Sequence, residues 1–228
     1  MRILTLDLDD TLAAVNKAAS LEALELLRDI SATGCQLLLI SGKPAAYLAG
    51  FARQAGIASP IVAGENGAVV MGSADFPPPW EHTVAIPPEA RVWLDDVTAD
   101  LAGRLGASVW VQPNLINVSV FWRSESAKAE VIGAVANHMT RGGTAAGFRS
   151  FVHIDCAEIV APGADKGSAL RFVLDRLGID AADAVAIGDS VNDLPMFEVA
   201  GTSIGIRMDS GDERFENVEE ALRSLLTR

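Results

Sequence analysis

The chain has 228 residues, half of them hydrophobic, and carries 30 acidic against 18 basic residues, a formal net charge of −12. This length can bury a core large enough for one large domain or two modest ones. The negative charge and the lack of any Lys/Arg-rich run argue against a nucleic-acid partner, because phosphate backbones would be repelled. A small anionic ligand is still compatible, since a metal ion or a helix end can invert the local field.

Cysteine usage and hydropathy indicate the compartment. Cys35 and Cys156 form no Cys-x-x-Cys pair, which disfavours a disulfide framework or a zinc knuckle. No apolar run approaches the roughly 18 residues that a membrane span needs. The first residues lead directly into an acidic motif, with no signal-peptide pattern before it. We therefore expect a cytoplasmic protein without a membrane partner.

The first part of the chain alternates predicted strands and helices. Apolar, β-prone runs predict buried strands over 2–8, 36–40 and 61–63. Apolar residues at helical spacing predict a helix over about 20–30, and Pro44 is suitably placed near the start of another that runs to about Gln54. This alternation is typical of βαβ units.

The middle of the chain has a different pattern. Pro77, Pro78 and Pro79 form a stiff linker. The predicted elements that follow are a strand at 82–86, a helix at 88–104, strands at 107–112 and 115–122, a helix at 124–140, and strands at 144–148 and 151–155. The closely spaced strands indicate an antiparallel sheet. Alternation along the last strand would place His153 and Asp155 on one face and Cys156 on the other, which disfavours a zinc site.

After Ala161-Pro162-Gly163 the alternating pattern returns. A helix is predicted over 165–177, strands over 184–187 and 203–206, a helix over about 192–200, and a closing helix from about Asp212. The predicted fold is therefore α/β, with a doubly wound, Rossmann-like parallel sheet and an inserted α+β module. We expect a core of residues 1–79 and 162–228 and a cap of residues 80–161.

Four groups of polar residues fall at predicted strand ends or helix starts. Ligands of open parallel sheets bind at the carboxyl ends of the strands. The groups are Asp7 and Asp9, then Ser41-Gly42-Lys43, then Lys166, and finally Asp189 with Asp193. An Asp-x-Asp pair alone is a weak signal, because acidic residues commonly end strands in solvated loops. The four groups together predict one site.

The residue types of this site fit phosphoryl transfer. Mg²⁺ prefers carboxylate oxygens, which Asp7 and Asp189 can supply. A carboxylate can attack phosphorus to form an aspartyl phosphate, and Asp9, two residues further on, can protonate the leaving oxygen and later activate water. Lys166 can neutralise the phosphoryl group, while the Ser41 hydroxyl and nearby backbone N–H groups can hold its oxygens.

The same residues resemble a known family. The run from Asp7 to Thr11, Ser41, Lys166 and the run Gly188-Asp189-Ser190-Val191-Asn192-Asp193 are similar, in the same order, to the four motifs of the haloacid dehalogenase-like (HAD) superfamily of phosphohydrolases. The insertion between the second and third motifs resembles the type IIB cap of the Cof-like branch. The Gly64–Gly67 loop and the run from Asp189 to Phe197 are also similar to that branch. Together with the compact cap they look most like archaeal-type phosphoglycolate phosphatases, and they also resemble mannosyl-phosphoglycerate and sucrose-phosphate phosphatases.

The resemblance implies a role for each matching acid and for the lysine. Asp7 would be the nucleophile and a metal ligand. Asp9 would be the general acid and base, with its backbone carbonyl on the metal. Lys166 would steady the phosphoryl group and the nucleophile. Asp189 would ligate Mg²⁺, and Asp193 would ligate it through water or orient Lys166.

The resemblance also implies phosphate-binding residues. Ser41 and Gly42 would bind the phosphate, and Asn192 would support the pocket. One departure is Asp10, where the branch often has glycine; aspartate also suits turns, so activity is not put in doubt.

Substrate recognition is the least constrained prediction. Glu65 and Asn66 are candidates in the Gly64–Gly67 loop, and Arg123 and Arg149 are candidates in the cap because arginine makes forked contacts with carboxylates. The expected protein is a Mg²⁺-dependent phosphatase of a small phosphorylated metabolite, a sugar phosphate or phosphoglycolate, and a monomer or homodimer. The alternatives are a phosphomutase with the same aspartyl phosphate and a phospho-accepting receiver that is not an enzyme.

Overall fold

A computed structural model describes residues 1–144 and 146–227. They divide into two compact units, Met1–His82 with the segment from Asp165 onward, and Thr83–Ala164. The strands in chain order are β1 (Ile3–Asp7), β2 (Gln36–Ile40), β3 (Ile61–Gly64), β4 (Val69–Met71), β5 (Glu81–Thr83), β6 (Val109–Val111), β7 (Val118–Trp122), β8 (Arg149–Val152), β9 (Cys156–Val160), β10 (Ala184–Gly188), β11 (Thr202–Ile206) and β12 (Glu213–Phe215). The helices are α1 (Leu21–Ala32), α2 (Ala45–Gln54), α3 (Pro88–Leu105), α4 (Glu125–His138), α5 (Lys166–Leu177), α6 (Leu194–Phe197) and α7 (Val218–Leu226).

The first unit is built on one large sheet. Its strand order is β12-β11-β10-β1-β2-β3-β4-β5. The pairs from β12 to β3 are parallel, and β4 runs antiparallel to β3. The predicted doubly wound, Rossmann-like sheet is confirmed. β1 lies between β10 and β2, so three strands that precede polar motifs are neighbours.

Burial and capping explain how the first unit positions its elements. All five residues of β1 are buried, as a central parallel strand requires. Leu170 and Val173 of α5 belong to the same buried cluster as Ile3 of β1. The carboxylate of Asp165 accepts a hydrogen bond from the Ser168 N–H (2.7 Å) and caps the start of α5. This cap fixes the first helical position, which is Lys166.

The second unit contains a four-stranded antiparallel sheet in the order β6-β7-β9-β8. Helices α3 and α4 pack against it. Val118, Val120, Ala157 and Ile159 are buried in this unit. The predicted α+β module is confirmed as a sheet with helices packed against it.

The last two strands predicted for the module were placed wrongly. The helical path continues beyond α4 in a π-helical turn, Met139–Gly143. The described residues of the stretch 144–148, where a strand was expected, form turns and no strand; Ala145 lies outside the described residues. The strands begin later, at Arg149 and Cys156. His153 therefore lies at a hairpin turn, not on one strand with Cys156, and the alternation argument does not apply.

Other differences concern short elements at the edge of the large sheet. The strand predicted at 82–86 is β5, which belongs to the large sheet, and β4 before it was not predicted. The closing helix does not begin near Asp212; β12 comes first, and α7 starts after Asn217, whose side chain caps it. The helix expected over about 192–200 is reduced to α6 after a 3₁₀ turn. Among the described helices, none combines the length and the apolar character needed to cross a membrane.

Candidate active site

Three adjacent strands deliver the polar motifs to one edge of the large sheet. Asp7 is the last residue of β1, Ser41 follows β2 and Asp189 follows β10. Since β10, β1 and β2 are neighbouring parallel strands, their carboxyl ends open at the same edge.

Lys166 is the centre of a buried ionic cluster. Its side chain is 1% exposed, and Nζ lies 2.8 Å from Asp7 Oδ1 and 2.5 Å from Asp193 Oδ1. It also donates to Asn192 Oδ1 at 3.3 Å. Burial alone would lower the pKa of Lys166, but the charges of Asp7 and Asp193 outweigh it and raise the pKa to about 12. The ammonium group is therefore charged at any physiological pH.

The pKa of Asp7 is shifted by this arrangement. Burial removes water from its carboxylate and raises its pKa to about 7; Lys166 lowers the pKa and Asp193 raises it. With all three groups ionised, two carboxylates share one ammonium and one negative charge is left over. A buried charge of this kind takes up a proton or a cation.

Asp193 uses both carboxylate oxygens within the protein. Oδ1 contacts Lys166, and Oδ2 accepts hydrogen bonds from the backbone N–H groups of Asp189 (2.9 Å) and Ser190 (3.0 Å). The residue is fully buried. A Cβ on Gly188 would lie 2.4 Å from Asp193 Cγ, so glycine is needed for this close approach. The geometry thus ties the turn after β10 to Lys166.

Asp189 is oriented by a residue to which the sequence analysis assigned no role. The Thr11 hydroxyl donates to Asp189 Oδ1 at 2.6 Å, and Thr11 is buried. Burial raises the pKa of Asp189, and the Thr11 hydrogen bond partly lowers it. The only hint of this role in the sequence is that Thr11 lies in the same acidic run as Asp7.

The acidic cluster fits a hard divalent cation. One carboxylate oxygen from each of Asp7, Asp189 and Asp193 lies within 4.8 Å of the other two. Oxygen donors of this type suit Mg²⁺ or a similar ion. The negative charge left over among Asp7, Asp193 and Lys166 would attract such a cation. Since both Asp193 oxygens already bind protein groups, Asp7 and Asp189 fit direct coordination better.

Asp9 and Asp10 lie beyond the buried cluster. Asp9 Oδ2 is 2.9 Å from the Lys43 ammonium, and both side chains are about one quarter exposed. Asp10 adopts a left-handed backbone (φ 58°), and its side chain accepts from the Val15 N–H at 3.3 Å. Its carbonyl oxygen accepts a hydrogen bond from Arg207. Asp10 therefore has the conformation of a turn residue.

The loops after β2 and β3 bind one another through their backbones. The Ser41 carbonyl accepts from the Asn66 N–H at 2.9 Å, and the Lys43 carbonyl accepts from the Glu65 N–H at 2.8 Å. Glu65 and Asn66 are both left-handed (φ 56° and 55°), and the Ser41 side chain is buried. The Ser41 hydroxyl accepts from the Lys43 N–H at 3.2 Å, so the chain turns tightly through Gly42.

The two arginine candidates belong to the second unit. Arg123 is exposed just after β7, and its N–H donates to the Ser108 carbonyl at 3.0 Å. Arg149 is exposed at the start of β8 and donates through Nη2 to the Ala164 carbonyl at 3.2 Å. The cluster around Lys166 is assembled by the first unit alone, without either arginine.

The sequence matches the family model of haloacid dehalogenase-like hydrolases over residues 4–76 and 123–219. Its curated relatives include the phosphoglycolate phosphatase of Methanopyrus kandleri, 26% identical over 95% of this chain and 88% of the relative. The phosphoglycolate phosphatase of Methanothermobacter thermautotrophicus is 26% identical over 90% of this chain and 85% of the relative.

Solved structures share the fold at lower identity. A haloacid dehalogenase-like hydrolase from Bacteroides thetaiotaomicron has a TM-score of 0.81 and 18% identity, and covers 98% of this chain and 99% of its own. A HAD subclass IIB sugar phosphatase has a TM-score of 0.68 and 15% identity over the full length of both chains. The family match confirms the resemblance found in the four motifs: the chain belongs to the haloacid dehalogenase-like hydrolases.

Proposed function

We propose that this enzyme is a Mg²⁺-dependent phosphatase that hydrolyses a small phosphorylated metabolite through an aspartyl phosphate. The observation that carries the proposal is the buried Asp7 carboxylate, 2.8 Å from a permanently charged Lys166 and beside a second acid, Asp189. Stability alone does not account for the cluster, because its burial leaves one negative charge without a counter-charge.

Asp7 and Asp189 would hold the cation through carboxylate oxygens, together with the backbone carbonyl of Asp9. When bound, Mg²⁺ would offset the negative charge of Asp7 and of the substrate phosphate, so that the carboxylate can approach the phosphate. Asp193 would act by orienting Lys166 and the turn at Asp189, because its oxygens are committed to those groups.

The chain's own residues would then divide the chemistry. An oxygen of Asp7 attacks phosphorus, and Lys166 keeps that carboxylate in place and neutralises charge on the phosphoryl group. The Ser41 hydroxyl, the Gly42 backbone and Asn192 would bind the phosphoryl oxygens. Asn192 accepts a hydrogen bond from Lys166, which links this pocket to the nucleophile.

Asp9 would be the proton carrier. In its acid form it gives a proton to the leaving oxygen, and as a base it then takes one from the water that attacks the aspartyl phosphate. Asp9 is more exposed than Asp7, so it can exchange protons with solvent.

For the substrate we propose a sugar phosphate or phosphoglycolate. The named activities of the curated relatives and of one structural neighbour support these two classes. Glu65, Asn66, Arg123 and Arg149 are the candidate recognition residues. We further propose that residues 80–161 act as a type IIB cap on a core of residues 1–79 and 162–228.

The test is phosphate release from a panel of phosphorylated metabolites, with Mg²⁺ or with EDTA. We expect release only with the metal, and a loss of about 10⁴-fold or more in Asp7→Asn, as when a nucleophile is removed. Asp10→Asn is the matched control: it makes the same change in a turn where asparagine tolerates the left-handed backbone, and activity should stay within about threefold.

Two results would overturn this proposal. Release that survives Asp7→Asn would remove the nucleophile assignment. Release from no member of the panel, together with a phosphoenzyme that persists, would favour the receiver.

A further inference from the structure

β8 is an edge strand whose side chains are all exposed. It is the last strand in the order β6-β7-β9-β8, so among the described residues it has a strand neighbour on one side only. Phe151 is 43% exposed, Val152 is 52% exposed, and Ile154 in the following turn is 90% exposed. An exposed apolar edge of this kind is a template for pairing with another chain.

The alternation of hydrogen-bonded and non-hydrogen-bonded pairs in the β8–β9 hairpin shows which backbone groups of β8 face outward. The His153 N–H donates to the Cys156 carbonyl at 2.8 Å. In the β8–β9 register Phe151 lies opposite Glu158 and Arg149 opposite Val160. Antiparallel pairs alternate, so Arg149, Phe151 and His153 bond towards β9. The N–H and C=O groups of Ser150 and Val152 therefore point away from the sheet.

We propose that β8 pairs antiparallel with β8 of a second copy of this chain, about a two-fold axis at Phe151. In this register Ser150 of each copy exchanges both backbone hydrogen bonds with Val152 of the other. Phe151 then faces its own counterpart in a non-hydrogen-bonded pair, where side chains are closest. The two four-stranded sheets then form one continuous sheet, and the interface is isologous because the same strand of each copy makes it.

The charges favour a second copy in this orientation. β8 begins with Arg149 and contains no acid, whereas its other end leads into the turn that holds Asp155. Antiparallel pairing puts Arg149 opposite His153 of the second copy, whose ring lies 3.1 Å from a Glu158 oxygen. The hydrogen bond to Glu158 raises the pKa of His153, but Glu158 and Asp155 together carry two negative charges, so this end of the hairpin stays net negative even with the imidazole protonated. Each guanidinium thus lies near the acidic end of the other hairpin, whereas parallel pairing would place Arg149 against Arg149.

The test begins with sedimentation of the full chain from about 1 to about 500 µM, a range over which mass action separates monomer from dimer. We expect a monomer–dimer equilibrium for the wild type. Phe151→Lys should weaken it about 100-fold, because the two-fold axis places the introduced ammonium against its own counterpart. Val92→Lys is the matched control, an exposed apolar residue on α3 that should leave the equilibrium unchanged.

A charge swap tests the register. Phe151→Glu alone should weaken the dimer as Phe151→Lys does, and mixing the two variants should restore a heterodimer, because the introduced carboxylate and the introduced ammonium then attract across the axis. Circular dichroism and thermal unfolding establish that both variants fold.

Three results would overturn the proposal. They are a wild-type monomer at every concentration, a dimer that the Phe151 variants leave intact, and folded variants that fail to associate when mixed. Each outcome is independent of phosphatase activity, so the proposed function stands or falls separately.

Discussion

At the scale of single residues, the site depends on an imbalance of charge. Lys166 is buried with Asp7 and Asp193 at 2.8 and 2.5 Å, and one ammonium cannot neutralise two carboxylates. The raised pKa of Asp7 follows from burial and from its acidic neighbour. In the metal-free enzyme, the excess negative charge favours a proton on Asp7. In the presence of a divalent cation, the same excess charge would favour binding of that cation.

This imbalance predicts how the stability of the metal-free enzyme changes with pH. The pKa of Asp7 rises from 3.8 to about 7 on folding, so the folded state binds the proton more tightly. Proton binding at Asp7 contributes fully to the free energy of unfolding below about pH 4. This contribution is lost as the pH rises through 7, at up to about 1.4 kcal/mol per pH unit. Urea unfolding in EDTA should show this loss.

Asp7→Asn provides the control, because an amide does not titrate in this range. The free energy of unfolding of the wild type, relative to that variant, should fall from pH 4 to 7. Parallel pH profiles for the two proteins would refute the assignment of the shift to Asp7. Adding Mg²⁺ should stabilise the wild type most at the high end of the range, where Asp7 is ionised.

The identities of these residues were predictable from sequence, but their pairings were not. The sequence analysis predicted Asp7 and Asp189 at strand ends and Lys166 at a helix start, and they lie there in the structure. The commitment of both Asp193 oxygens to Lys166 and to backbone N–H groups depends on distances across the fold. The Thr11–Asp189 hydrogen bond joins residues 178 positions apart, which no local pattern reveals.

At the scale of elements, the turn after β10 is held by packing that leaves no room for a methyl group. A Cβ at Gly188 would lie 2.4 Å from Asp193 Cγ, and Asp193 is fully buried. Gly188→Ala must therefore displace Asp193 and, with it, Lys166. We expect a loss of about 1–3 kcal/mol in stability, as for overpacking, and a reduced kcat.

Gly50→Ala is the matched control for this prediction. Gly50 lies inside α2, and a Cβ there meets no atom within 4 Å. Replacement of an interior helical glycine should stabilise the protein by about 0.5–1 kcal/mol. Urea unfolding and phosphate release on both variants are the measurements. A Gly188→Ala enzyme with wild-type stability and kcat would contradict the role given to the turn.

Strands were predicted accurately where they are continuous runs of buried apolar residues. The prediction failed where a strand is exposed or very short. β1 and β2 are runs of buried residues and were placed within one or two residues. β8 is exposed on all its residues, so no apolar alternation marked it. The π-helical turn at Met139–Gly143 lengthened the preceding helical path and moved both following strands. β12 has only three residues and was absorbed into the predicted closing helix.

At the scale of the whole molecule, the acidic cluster is built from residues of the first unit. Asp7, Lys166 and Asp189 all belong to the first unit, although nearly 160 residues separate Asp7 from Lys166 in sequence. The return of the chain after Ala164 supplies α5 and β10, which complete the sheet around β1. The insertion is thus accommodated between two halves of one fold.

Because these acids belong to the first unit, we predict that a cation stabilises that unit selectively. Mg²⁺ at about 100-fold above its dissociation constant should add about 2.7 kcal/mol to the unit that binds it, by mass action. Hydrogen exchange should therefore slow at the amides of Asp189 and Ser190 and along β1 when Mg²⁺ replaces EDTA, while amides of Thr83–Ala164 keep their rates. Asp189→Asn should abolish the difference, because it removes one of the two carboxylates proposed for direct coordination. Equal protection of both units by Mg²⁺, or protection that persists in Asp189→Asn, would show that the cation binds elsewhere.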